Sequence, residues 1–176
     1  MSRQLPSEET VLKLLKQVGC SKKVVGHCKA VANFAVEIAK SCKKKGFEVD
    51  VDLVQIGALL HDVGRAKTHS INHGIVGAQI AREFGLSDAV VFIIERHIGS
   101  GITEHEAKKL GWHAKSYVPE SLEERIVAYA DKLIEGSMRM PIEVAVERFR
   151  RDKHIPEASI ERLKKWHEEF SFCLKE

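Results

Sequence analysis

Six side chains of the types that ligate divalent metals, His27, His61, Asp62, His73, His97 and Asp131, stand where the surrounding pattern directs them inward. His27 shares a line with Val31, Phe34 and Ile38 at steps of four, three and four, the spacing of one helix face. His61 and Asp62 close an apolar run just before Gly64, and His73 opens a helix on the side of Gly77, Ile80 and Phe84. His97 ends the most apolar run of the chain, and Asp131 follows Ala130 within another. Burying an ionised carboxylate or an imidazole is costly unless something compensates it. A divalent cation would compensate all six at once, because it draws imidazole nitrogens and carboxylate oxygens to one place. Taken singly, each residue has an ordinary alternative: a histidine bonded to a carbonyl, or an aspartate that caps a helix or completes an ion pair. Five helices each directing such a group inward favour the shared cation.

The elements that must carry these residues read as helices. Ser7 to Val18, ended by Gly19, and Ser21 to about Lys45 each show one apolar stripe with polar residues opposite. Asp50 to Val63, Asn72 to Phe84 and Ser87 to about Ile98 repeat the pattern, with Gly64 and Gly85 closing the first two. Thr103 and Glu106, then Ser121 and Glu124, have the spacing of capping boxes and open two more helices, the first closed by Gly111. Pro156 begins a final helix whose stripe holds Ile160, Leu163, His167, Phe170 and Leu174. Alternating patterns are almost absent and no sheet is required, so the expected fold is all-α. The stretch 99–120 is the one long irregular segment, and segments of this length often serve as lids or binding loops.

At 176 residues with a hydrophobic share of 44%, the chain is expected to form a single domain, residues 1–176, with no internal repeat or linker. The 28 basic and 25 acidic residues, net +3, give a surface of mixed sign, which argues against a dedicated nucleic-acid protein. The basic run Lys43, Lys44 and Lys45 sits at a helix end, where cations complement the helix dipole. No signal peptide is evident, and no apolar run reaches the roughly 18 residues of a membrane span, so a soluble, cytoplasmic protein is expected. Cys20, Cys28, Cys42 and Cys173 show no C-x-x-C pairing and are expected as buried thiols.

His27, the pair His61-Asp62 and Asp131 resemble the H…HD…D signature of the HD superfamily of metal-dependent phosphohydrolases. The stretches Leu59-Leu60-His61-Asp62-Val63-Gly64-Arg65 and His73-Gly74-Ile75-Val76-Gly77-Ala78 resemble its local patterns, and the likeness covers about residues 22–136. It implies a helical bundle of about seven to nine helices, with 137–176 as a C-terminal helical extension. By the same resemblance His27, His61, Asp62 and Asp131 bind a first metal, and Asp62 bridges to a second held by His73 and His97. The layout is similar to the HD-type diadenosine tetraphosphate hydrolases, although the segment after His97 is longer and differently composed here.

The activity implied is cleavage of a phosphoester or phosphoanhydride in a nucleotide-like small molecule. Two divalent ions, Mn, Fe, Co, Ni or Zn with Mg also possible, would acidify a water to hydroxide and hold a phosphoryl oxygen. Asp62, Arg65 and His69 are expected to take part in the chemistry, and Arg65, Lys67 and His69 to hold phosphate oxygens. Lys108, Lys109, His113 and Lys115 are either surface charges or contacts for the far part of an anionic substrate, and Trp112 and Tyr117 either pack or stack on a base. His105, His154 and His167 are expected to be structural or exposed, and Trp166 to be core or an oligomer contact. Two other classes remain open: a di-iron oxygenase of the same superfamily acting on a small organic substrate, and a metal-binding regulatory module without turnover. The expected partner is a small phosphorylated molecule, with no membrane, nucleic acid disfavoured, and a homodimer possible through the C-terminal stripe.

Overall fold

The structure, a computed structural model, describes residues 4–152 and 155–175. Helix α1 spans Glu8–Val18, α2 Lys22–Lys44, α3 Val51–Leu60, α4 His73–Glu83 and α5 Asp88–Arg96. Helix α6 spans Glu104–Lys109, α7 Leu122–Leu133, α8 Ile142–Arg151 and α9 Glu157–Leu174. A 3-10 turn, Val63–Ala66, follows α3. The fold is all-α as expected, with nine α-helices among the described residues. None of these helices is long and apolar enough to cross a membrane.

Side-chain oxygens start the helices. Ser7, Ser21, Asp50, Thr103 and Ser121 each accept the backbone N–H three residues on, satisfying a donor that the first turn leaves unpaired. The Thr103–Glu106 capping box is complete. At Ser121 only half of the expected box forms, because Glu124 turns away to accept the Glu120 N–H and to pair with Arg96.

Helix α2 is the spine. Its buried face, Cys28, Val31, Ala35, Ile38 and Cys42, packs on α3, α7 and α9. Two glycines let the ligand-bearing elements close on one another: a methyl group at Gly64 would overlap the His73 carbonyl, and Gly77 lies against Gly64 and Ile94. The final helix spends its stripe inside the chain, with Ile160, Leu163, Trp166 and Phe170 all buried.

Two expectations are corrected. A short antiparallel hairpin, β1 Ile134–Glu135 and β2 Met138–Arg139, interrupts the helices, because Gly136 at φ 62° makes a turn directly after α7. Cys42 and Cys173 form a disulfide between α2 and α9, where two buried faces bring their Cα atoms to 4.8 Å. Cys20 and Cys28 stay thiols, and burial pushes Cys20 up to about 11. The segment 99–120 is irregular outside the short helix expected after Thr103, and it is fastened to the domain. It holds α6 and a bridge between Ile102 and Tyr117, and it is tied down by Lys115 to Glu95 at 2.8 Å and by Trp112 to Asn72 at 2.8 Å. Ser100 and Arg162 complete the attachment, the first donating to the Ser159 carbonyl and the second to the Ser100 carbonyl.

Candidate metal centre

All six inward residues meet at one place. His27 comes from α2, His61 and Asp62 from the link between α3 and the 3-10 turn, His73 from the start of α4, His97 from the end of α5 and Asp131 from α7. His61, Asp62, His73 and His97 are buried, whereas the side chains of His27 and Asp131 keep 19% and 12% exposure, so the centre opens on their side.

The imidazoles are oriented by the backbone. His61 Nδ1 donates to the Ala58 carbonyl, His73 Nδ1 to Ser70 and His97 Nδ1 to Ile94, each at 2.7 Å and each three residues back. His27 Nδ1 donates at 2.9 Å to Gly136, in the turn of the hairpin. A carbonyl only accepts, so each neutral ring has its proton on Nδ1 and points a bare Nε2 lone pair into the centre.

Those lone pairs face carboxylate oxygens, which also only accept. His27 Nε2 lies 2.9 Å and His61 Nε2 3.3 Å from Asp131 Oδ1. His73 Nε2 and His97 Nε2 lie 3.1 and 3.4 Å from Asp62 Oδ1, and 3.1 Å from each other. Asp62 Oδ2 turns the other way, 3.7 Å from His61 and 4.0 Å from His27. Asp62 thus stands between two halves, one built of His27, His61 and Asp131, the other of His73 and His97. Buried His61 Nε2 and Asp62 Oδ1 have no hydrogen-bond partner.

Only positive charge reconciles so many acceptors. Burial opposes charging His61, but Asp62 and Asp131 outweigh it and hold that ring well above its ordinary value. Burial pushes His97 down to about 4, so it is neutral near pH 7. Burial would raise both carboxyls, yet His61, His73 and His97 keep Asp62 low, and Lys132 and His61 keep Asp131 low. Protons cannot fill the whole cluster, and the donor set of imidazole nitrogens and carboxylate oxygens fits divalent cations. Two subsets, His27 with His61 and Asp131, and His61 with Asp62 and His97, already bring their ligand atoms within 4.8 Å of one another.

Two cationic side chains sit at the rim. Arg65 Nε donates to Asp62 Oδ2 at 2.8 Å, and its side chain is 31% exposed. Lys132 pairs with Asp131 Oδ2 and is 17% exposed. Lys132 carries no periodic signal, since neighbours on a helix point in different directions; its adjacency to Asp131 is the one clue in the sequence. Lys67 and His69 are exposed and make no hydrogen bond or ion pair with the cluster. Lys108 pairs with Glu104 on the exposed surface, and Lys115 with buried Glu95. Trp112 and Tyr117 pack on each other with ring centroids 5.2 Å apart. His105 is exposed and His167 bonds the Tyr129 hydroxyl at 2.8 Å, while His154 lies outside the described residues.

A family model of the HD domain matches residues 24–136. The chain belongs to the HD domain family. Within it, the chain is 47% identical over 167 residues to an uncharacterized protein of Methanocaldococcus jannaschii, an alignment covering 95% of this chain and 98% of that one. It is 44% identical over 163 residues to the tRNA (cytidine(56)-2'-O)-methyltransferase of Thermoplasma volcanium. That alignment takes in 93% of this chain and 46% of the methyltransferase, so the chain spans about half that relative's length. The HD domain of the L. monocytogenes phosphodiesterase PgpH, solved in complex with cyclic-di-AMP, shares the fold. Its TM-score is 0.55 at 17% identity, over 88% of this chain and 92% of that one.

Proposed function

We propose that this HD domain is a metal-dependent phosphohydrolase that cleaves a phosphoester or phosphoanhydride of a nucleotide-like molecule. The observation that carries the reading is the convergence of four Nε2 atoms and two carboxylates on one place, more acceptors than protons can satisfy. His27, His61, Asp131 and Asp62 would hold one cation, and Asp62, His73 and His97 a second. Cations so held lower the pKa of a water and neutralise charge on a phosphoryl group. An imidazole-rich set suits Mn, Fe, Co, Ni or Zn better than Mg.

The protein's own groups then position the substrate. Arg65 and Lys132, already at the open side, donate to non-bridging phosphoryl oxygens. Asp62 keeps one oxygen for each half and would thereby hold a cation on either side. Lys67 and His69 are assigned to the distal part of an extended substrate, since neither touches the cluster. The chain acts as one unit, with α8 and α9 as an extension that α9 fastens to α2.

Purified protein should contain bound transition metal and release phosphate from nucleotides or general phosphoesters, and Asp62→Ala should lose that release. Unchanged turnover by Asp62→Ala would contradict the site. A redox-active iron pair that consumes oxygen would replace this reading with the oxygenase. Bound metal with no turnover on any phosphoester would leave a regulatory module.

One observation favours a second reading of the substrate. The relative from Thermoplasma volcanium, named for a tRNA modification, aligns with almost all of this chain over about half its own length. An RNA phosphodiester is the substrate that would link the two halves of such a protein. Cleavage of unmodified tRNA transcript, measured beside mononucleotide hydrolysis, separates the two.

A further inference from the structure

A cavity of about 630 Å³ lies between α6, the end of α8 and the start of α9, outside the metal cluster. Its volume falls within the range of sites that enclose a small organic molecule. Ile71, Ile98, Leu110 and Phe149 supply apolar walls, and His105, Glu106 and Lys109 of α6, with Asp152 after α8, supply a polar edge. Ile71 and Leu110, both lining residues, remain 43% and 41% exposed.

The cavity adjoins the centre along two paths of the chain. Ile98 directly follows His97 and packs towards Gly74, the neighbour of His73, while Ile71 precedes His73 by two residues. On the opposite wall, Arg148 donates to the Lys132 carbonyl at 2.8 Å, and the next residue, Phe149, lines the cavity. Helix α8 therefore borders both the backbone of α7 at Lys132 and the apolar space.

The lining selects a chemical class. An alkyl chain would cover the walls but set its apolar surface against the polar edge of His105, Glu106, Lys109 and Asp152, and a bare sugar would set hydroxyls against the apolar side chains. A planar heteroaromatic ring meets both demands, with apolar faces and an edge of donors and acceptors. Glu106 uses only Oε2 to hold the Thr103 N–H and hydroxyl, at 2.7 and 2.8 Å, which leaves Oε1 to accept from a ring N–H. Lys109, unlike Lys108 and Lys115, forms no ion pair with the described residues. We propose that this cavity is a nucleobase subsite, which holds the base while the phosphoryl group lies at the rim formed by Arg65 and Lys132. The placement of the phosphoryl group rests on the phosphohydrolase reading; the base site itself does not.

Adenosine and guanosine, which carry no phosphate, test the site in the full chain without turnover. Titration followed by amide and methyl NMR should shift Ile98, Leu110 and Ile155, with ribose as the blank. Ile71→Glu and Leu110→Glu change exposed positions, so the fold tolerates them, and each should weaken nucleoside binding by about tenfold. Nucleosides that bind no better than ribose, or variants that bind as the parent does, overturn the subsite. Displacement of adenosine by AMP or by a short oligoribonucleotide ending in adenosine distinguishes the two sources of such a base. A chain that binds adenosine here but hydrolyses nothing keeps this site and loses the hydrolase reading. A chain that hydrolyses simple phosphoesters and gains no affinity from a base keeps the hydrolase reading and loses this site.

Discussion

His73 and His97 approach each other Nε2 to Nε2 at 3.1 Å, while the Nδ1–H of each ring donates to a backbone carbonyl. Two lone pairs at that distance repel, and Asp62 Oδ1 beside them adds negative charge. The pair is tolerable when a cation lies among the three atoms. Chelation should therefore lower the thermal midpoint, since a ligand that binds only the native state stabilises it. His97→Ala should reduce the metal content from two ions to one, read by elemental analysis after dialysis. An unchanged ratio in that variant would remove the second half of the centre.

Asp62 serves both halves, so its loss should be more damaging than that of any one histidine. Asp62→Asn keeps the shape and removes the charge. Phosphate release should fall by more than about 100-fold, with metal affinity reduced at both positions. Calorimetric metal titration beside the rate measurement checks this, and retained affinity at both positions would rule out a bridging role.

Much of this centre was legible from residue types and spacing. His27 could be placed on a buried face because Val31, Phe34 and Ile38 mark that face, and the apolar runs before His61 and His97 showed where helices end inward. Relations between distant or adjacent residues were not legible. Cys42 and Cys173 are 131 residues apart, and nothing local reveals that their faces meet. The Gly136 carbonyl that orients His27 lies in a turn too short to carry a pattern. The segment 99–120 looked irregular because it is held by single contacts such as Lys115 to Glu95, which no periodicity encodes.

Lys132 now pairs with Asp131 and lies at the open side of the centre. Lys132→Met should raise KM by about tenfold with a smaller effect on kcat, the mark of lost substrate binding. Lys132→Arg should restore most of the affinity, because the guanidinium also donates to phosphoryl oxygens. Metal content should not fall in either variant; a fall would make Lys132 a structural partner of Asp131 only.

The disulfide between Cys42 and Cys173 closes a long loop, so reduction or Cys173→Ser should cost about 2–4 kcal/mol of stability. Denaturant melts with and without reductant measure the loss. Phosphate release at moderate temperature should be unaffected, because neither cysteine belongs to the cluster. Equal midpoints in both conditions would show that the bond contributes nothing.

Gly64 and Gly26 make a contrasting pair. Alanine at 64 overlaps the His73 carbonyl and should cost about 1–3 kcal/mol while displacing His73 from its partners. Alanine at 26, on α2 with open space around it, should stabilise by up to about 1 kcal/mol. Thermal melts together with metal content separate the two effects, and a Gly64→Ala protein with full metal content would contradict the close approach.

Because backbone carbonyls aim all four imidazoles, no replaceable side chain stands behind them as a support. Drift at neighbouring positions can alter volume or charge, yet it cannot erase an acceptor that every amino acid brings with it. The arrangement therefore presents a small target to random mutation. Inactivating changes should concentrate on the ligands and on the glycines that set backbone paths, leaving the remaining positions open to divergence.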